Sequence, residues 1–209
     1  MLEPTNNPNP SYMVDPPRLL RFFLARKLGR IANTQQIMKN RAAVEARRRA
    51  EGRAHVVEYF HQIDDPYSHL MAQVIARFAE RYDIDIVPHL IRASGGRNQP
   101  EQEKLAVWAR RDCALIAPHY GLNFPPNAPV MPEHGQQQAA SRLLAKRSAD
   151  EFLARIESVS SAVWSGDAVD VGQTTVTSTE AEAALDSGSA RLADFNHYSG
   201  AMLYYGGEW

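Results

Sequence analysis

Residues 55–91 constrain this chain more than any other stretch. The run His55-Val56-Val57-Glu58-Tyr59-Phe60 is β-branched and aromatic, and it breaks at Asp64-Asp65-Pro66-Tyr67-Ser68. Leu70, Met71, Val74, Ile75, Phe78 and Tyr82 then recur at three- and four-residue steps, before a second strand-like run over residues 84–91. The pattern predicts strand, one helix, strand. Two strands joined in this way run parallel with a right-handed crossover, which puts the segment after the first strand at the carboxyl edge of the sheet, where such folds bind ligands. Pro66 has no N–H to lose in a first helical turn, and Asp65 before it is a favoured N-cap, so the helix is expected to open there. Residues 65–68 are therefore the candidate site.

Charge is unevenly spread on either side of Arg53. The chain has a net charge of −1, yet residues 1–53 hold 11 Lys and Arg against 4 Asp and Glu, and the remainder holds 12 against 20. Residues 1–17 are rich in Pro and Asn and read as a disordered tail. Residues 18–54 read as a basic helical extension. In it Leu20, Phe23, Leu24, Leu28 and Ile31 form an apolar stripe among Arg21, Arg26, Lys27 and Arg30, and a more polar helix ends in Arg47-Arg48-Arg49. The plain reading is a helix pair packed on the domain, its charges solvated or facing an acidic surface. A membrane-surface helix and an acid-poor targeting segment are the alternatives. The basic run lacks interleaved aromatics, so no nucleic-acid partner is expected.

Several function classes drop out. Cys113 is the single cysteine, which excludes an internal disulfide and dithiol exchange, and its helical context reads as a small core residue. The seven histidines show neither an i,i+4 pair nor a cysteine partner at ligand spacing, so no metal is expected. His61 and His69 flank the candidate loop and are candidate proton carriers. No apolar run approaches the ~20 residues of a transmembrane helix, no secretory leader is visible, and a cytoplasmic protein is the default expectation. Phosphate-loop, dinucleotide-fingerprint and nucleophile-elbow motifs are missing.

Beyond Ile91 a loop containing Asn98 leads to a helix from about Pro100, with Leu105, Trp108, Ala109 and Ile116 as its expected buried stripe. Four prolines within residues 124–132 make a loop. Two helices follow, the second opened by the capping box Ser148-Ala149-Asp150-Glu151. Thr177-Ser178-Thr179-Glu180 opens another, running to about Phe195. Residues 201–205 read as a strand and Gly206-Gly207 as a hairpin turn. A hairpin without a returning strand leaves an apolar edge. The expectation is therefore a fragment lacking its last strand and helix, or a strand supplied by a partner; a homodimer is left open.

In order and spacing, the segments Asp65-Pro66-Tyr67-Ser68, Phe78-Ala79-Glu80-Arg81-Tyr82, Tyr120-Gly121-Leu122-Asn123-Phe124-Pro125 and Ala162-Val163-Trp164-Ser165-Gly166 resemble the DsbA-like thioredoxin-fold superfamily. Within it they are most similar to the branch of 2-hydroxychromene-2-carboxylate isomerase and kappa-class glutathione transferase. The resemblance covers residues 55–209. It implies an α/β thioredoxin-like fold, a four-stranded core with a helical insertion over about residues 100–166. It further implies a glutathione-dependent isomerase or transferase of a small aromatic or conjugated substrate. The alternative is a catalytically silent thioredoxin-like binding module.

By the same resemblance Asp65 and Ser68 hold the two positions that are cysteines in dithiol members. Asp65, Ser68 and Tyr67 would be the catalytic set, Asp65, Ser68, Ser199 and Gly200 the glutathione contacts, and Asn98 a substrate contact or simply a helix cap. Two departures stand out. The branch usually has serine where this chain has Asp65, and a cis-proline where this chain has Ser199-Gly200. A carboxylate ~4 Å from a thiolate costs about 1 to 4 kcal/mol. The helix dipole returns only about 0.3 to 1 kcal/mol.

Overall fold

The computed structural model describes residues 17–31, 33–93, 101–172 and 174–209. Residues 1–16 of the expected tail, and Asn98, lie outside the described residues. The chain divides into two compact units, Met1–Arg53 and Ala54–Trp209.

The first unit holds α1 (Arg18–Ile31) and α2 (Thr34–Ala50). Asn33 caps α2, its side chain accepting from the backbone N–H of Gln35 at 2.9 Å and of Gln36 at 3.3 Å. Near the other end Glu45 pairs with Arg48 at 2.8 Å and Arg49 at 2.6 Å. No side chain of α2 is buried.

In the second unit β1 (Val56–Gln62) is the central strand of a three-stranded sheet ordered β2-β1-β3. It runs parallel to β2 (Asp85–Ile91), with Val56 opposite Asp85 and Gln62 opposite Ile91. It runs antiparallel to β3 (Met202–Tyr204), with Phe60 opposite Met202. Tyr59 and Phe60 are therefore fully buried on opposite faces. Among the described residues the sheet has three strands, in the three stretches where the sequence reading placed them. After β3 the chain turns through Gly206 (φ 60°) and Gly207 (φ 95°), and the pairing back is a single bridge from Tyr205 to Glu208. Those two positive angles are what the hairpin turn demanded of Gly206-Gly207.

The expected single crossover helix is two helices, α3 (Pro66–Ala72) and α4 (Ile75–Tyr82). At the break, backbone bonds tighten to the i−3 type, Gln73 to Leu70 and Val74 to Met71, and Phe78 restarts the ladder from Val74. The Gln73 side chain also leaves its helix to pair with both backbone groups of Asn123, donating to the carbonyl at 2.8 Å and accepting from the N–H at 2.9 Å. A tertiary contact across the chain outweighs the local periodicity.

The insertion consists of α5 (Gln102–Ile116), a short 3-10 turn (Ala117–Tyr120), α6 (His134–Leu144) and α7 (Ala149–Ser165). Both capping boxes form, Ser148 with Glu151 at the start of α7 and Thr177 with Glu180 at the start of α8 (Ser178–Asp194). The main core joins Val57 and Tyr59 of β1, Ile86 and Leu90 of β2, and Phe152, Ile156, Val163 and Trp164 of α7. Burial of aromatics as large as Phe152 and Trp164 is worth roughly 3 to 5 kcal/mol each against alanine. On the other face Phe60 and Ile91 pack with Leu192 of α8. Glu58 ties that face down by pairing with Arg191 and, at 2.9 Å, with His89.

Candidate functional site

The three strands converge on one corner. β1 ends at Gln62, β2 leads to Ala93, and β3 is preceded by Ser199 and Gly200. These four residues line a cavity of about 470 Å³ together with Asp64, Asp65, Pro66 and Tyr67. The candidate loop thus lies at the carboxyl edge of the parallel pair. The far wall is α5, through Leu105, Trp108, Ala109 and Asp112. Here the structure corrects part of the sequence reading: Leu105 is 47% and Trp108 63% exposed, so this half of the stripe assigned to the core faces open space, while Ile116 packs beside Cys113 as expected. Within α5, Cys113 is the residue that reaches the core. An amphipathic stripe reports an apolar neighbour or a cavity equally well.

Asp65 caps α3 as its position before Pro66 dictates. Its carboxylate accepts from the N–H of Tyr67 at 3.3 Å, the N–H of Ser68 at 2.9 Å and the hydroxyl of Ser68 at 2.8 Å. Burial is the main influence on this carboxyl and raises its pKa, the three donors pull it back down, and the neighbouring charge of Asp64 raises it again. The group keeps an edge on the cavity while protein surrounds most of it.

Ser68 is not where the sequence reading needed it. Its side chain is fully buried, with the hydroxyl bonded to Asp65 and accepting from the N–H of Gln62 at 3.2 Å. It supports Asp65 from below and does not line the cavity. Tyr67 does line it, and its hydroxyl donates to Asp112 at 2.7 Å. Burial and then Asp112 push the phenol above its ordinary range, so it stays protonated at neutral pH. Asp112 went unnoticed in the sequence because nothing local marks a partner 45 positions from Tyr67.

His61 and His69 are not proton carriers for this cavity. His61 is bonded at 2.9 Å to Tyr59 and His69 at 3.1 Å to Ser160, both inside the core. Burial pushes His61 down to about 3 and His69 to about 4, so both are neutral at pH 7. Cys113 is buried beside Leu70 and Ala117, as its helical context suggested, and burial drives its thiol upward. Such a thiol is not a nucleophile.

Gly200 sits where no side chain fits. A Cβ there would lie 2.6 Å from the Cβ of Gln62, 2.9 Å from the Ser68 hydroxyl and 3.2 Å from an Asp65 oxygen. Gly200→Ala is expected to cost about 1 to 3 kcal/mol and to push Asp65 from its cap. A urea midpoint equal to that of the wild type would show that the corner yields at no cost.

No family model and no curated protein matches the chain. Among solved structures, a 2-hydroxychromene-2-carboxylate isomerase superposes with a TM-score of 0.53 at 19% identity, over 74% of this chain and 87% of that one. A protein from Nitrosomonas europaea described as a candidate disulfide isomerase superposes with a TM-score of 0.46 at 15% identity, over 73% and 88%. At such identities the likeness to the first shows the fold alone: this chain has the DsbA-like thioredoxin fold, with a helical insertion between its second and third strands.

Proposed function

We propose that the protein is a thioredoxin-fold isomerase or transferase that moves a proton on a small aromatic or conjugated substrate, with Asp65 as the proton acceptor. The observation that supports this is one carboxyl of raised pKa at the floor of a cavity of about 470 Å³ whose opposite wall is mainly apolar, through Leu105, Ala106, Trp108 and Ala109. Trp108 and Leu105 would lie against the substrate's flat face. The Tyr67 oxygen, its proton engaged by Asp112, would accept a polar substituent. Ser68 is a positioning residue acting through Asp65.

The residues do not fit a glutathione thiolate. The N–H groups of Tyr67 and Ser68 that would hold the sulfur are taken by Asp65, and the Ser68 hydroxyl is buried. No step runs through glutathione. Its binding as cofactor is proposed for the Asp65→Ser form, in which the N–H groups and the helix end become available to an anion. Calorimetry should show saturable binding there, at least tenfold tighter than to the wild type. If neither protein binds glutathione, that part of the proposal is withdrawn.

Turnover is tested with 2-hydroxychromene-2-carboxylate as probe. Asp65→Asn keeps a good cap, and is expected to lose about 100-fold or more in kcat, as removal of a general base does. Its stability relative to the wild type should rise between pH 5 and pH 8, because a carboxyl with a raised folded-state pKa loses stability as pH rises through that pKa and an amide does not. The asparagine gives up one of the two oxygens that accept hydrogen bonds, so the trend with pH and not the absolute stability is the readout. Loss of activity together with that trend separates a chemical role from unfolding. An Asp65→Asn variant that turns the probe over at the wild-type rate would refute Asp65 as the base.

A second reading is supported by the same corner. Asp65, Ser68, Tyr67 and Asp112 already satisfy one another, as in a catalytically silent module whose groove binds a partner. That reading predicts no turnover by any variant.

A further inference from the structure

We propose that α1 docks the protein on an anionic membrane surface. Five of the six residues from 19 to 24 are bulky and apolar. Leu19, Phe22 and Phe23 are 76%, 60% and 63% exposed, and Leu20 and Leu24 are about half so. They spread over a little more than half of the circumference of the first two turns, and Arg18 and Arg21 fill the remaining arc. Leu28, 61% exposed, follows one turn on, between Lys27 and Arg30 in sequence.

Every charged residue in the sequence of α1 is a cation and none is an acid. Large apolar side chains flanked by one sign of charge fit a surface that is itself apolar beneath a layer of the opposite sign. The long stems of Arg26 and Lys27 let those residues lie on the apolar side while their charges reach the headgroups. At 14 residues α1 is too short to cross a bilayer, and no helix among the described residues is long and apolar enough to do so. The helix lies in the interface, with the rings of Phe22 and Phe23 among the acyl chains.

The test uses the full chain and vesicle flotation. Vesicles of phosphatidylcholine with 30% phosphatidylglycerol should bind the protein at least tenfold more tightly than phosphatidylcholine alone, and 0.5 M salt should reduce the binding. The double variant Phe22→Ser, Phe23→Ser should lose at least tenfold of this binding with an unchanged Tm. A second variant, Arg18→Gln, Arg26→Gln, Lys27→Gln, should lose the preference for the anionic lipid. Equal binding to both vesicle types overturns the proposal. So does binding to heparin or RNA that the phenylalanine substitutions leave intact, which would make the helix a polyanion site. A lowered Tm in the Phe22→Ser, Phe23→Ser variant also overturns it, because the face would then be packed on protein.

Discussion

Between pH 6.5 and 4.5 the protein is expected to lose roughly 4 kcal/mol of folding stability through two residues that never touch the cavity. His61 and His69 are buried, and their pKa values are depressed to about 3 and about 4 from the 6.5 of an open imidazole. The sign follows from proton counting. The unfolded chain protonates both rings as pH falls through about 6.5 and the folded chain does not, so stability is complete above that value and is lost below it. Each unmatched proton withdraws about 1.4 kcal/mol per pH unit. A loss of that size is a large share of the 5 to 15 kcal/mol typical of a domain. Urea titrations at half-unit steps would read the slope, to which the depressed His89 adds and the raised Asp65 carboxyl runs counter. His61→Gln and His69→Gln should each remove one proton from it. A flat profile across this window, or equal slopes in all three proteins, would contradict the buried neutral pair.

The second large effect belongs to Gly188. A Cβ at this position of α8 would fall 2.0 Å from the Leu90 carbonyl oxygen and 3.3 Å from the His89 Cβ. The Leu90 backbone, held in β2, cannot step aside as the end of a flexible side chain would. Gly188→Ala is therefore expected to cost about 3 kcal/mol, despite the gain of up to about 1 kcal/mol that alanine brings within a helix. The neighbouring contact explains the close approach: Ser189 accepts from the backbone N–H of Arg92 at 3.0 Å, while Arg92 itself reaches Asp186 at 2.7 Å. A helix pressed this tightly fixes the end of β2 and with it Ala93 on the cavity rim. Chemical denaturation suffices as the measurement, and an alanine variant as stable as the wild type would mean that α8 can stand off from the strand.

Much of this arrangement is legible from local chemistry. The β-branched runs, Asp65 ahead of Pro66 and the two capping boxes each act over a few residues, so the sequence carries them whole. What it hides is long-range. Gln73 breaks the crossover helix because it finds Asn123, and Ser68 turns inward because a carboxylate two hydrogen bonds deep awaits it. The stripe of Leu105 and Trp108 had the right period and the wrong destination. Histidine gives no local sign of whether its ring will meet water or Tyr59. The parallel pairing of β1 and β2 follows from connection length, whereas β3 is only three residues long and its one bridge back, from Tyr205 to Glu208, carries little local signal.

The placement of α5 has an evolutionary corollary. Because the helix meets the core at Cys113 and turns its larger side chains toward the cavity, size and shape at positions 105 and 108 can drift with little penalty to the scaffold. If the proposed function holds, a lineage built this way could retune which molecules it accepts by trading residues on one helix, while Asp65 and its hydrogen bonds stay as they are.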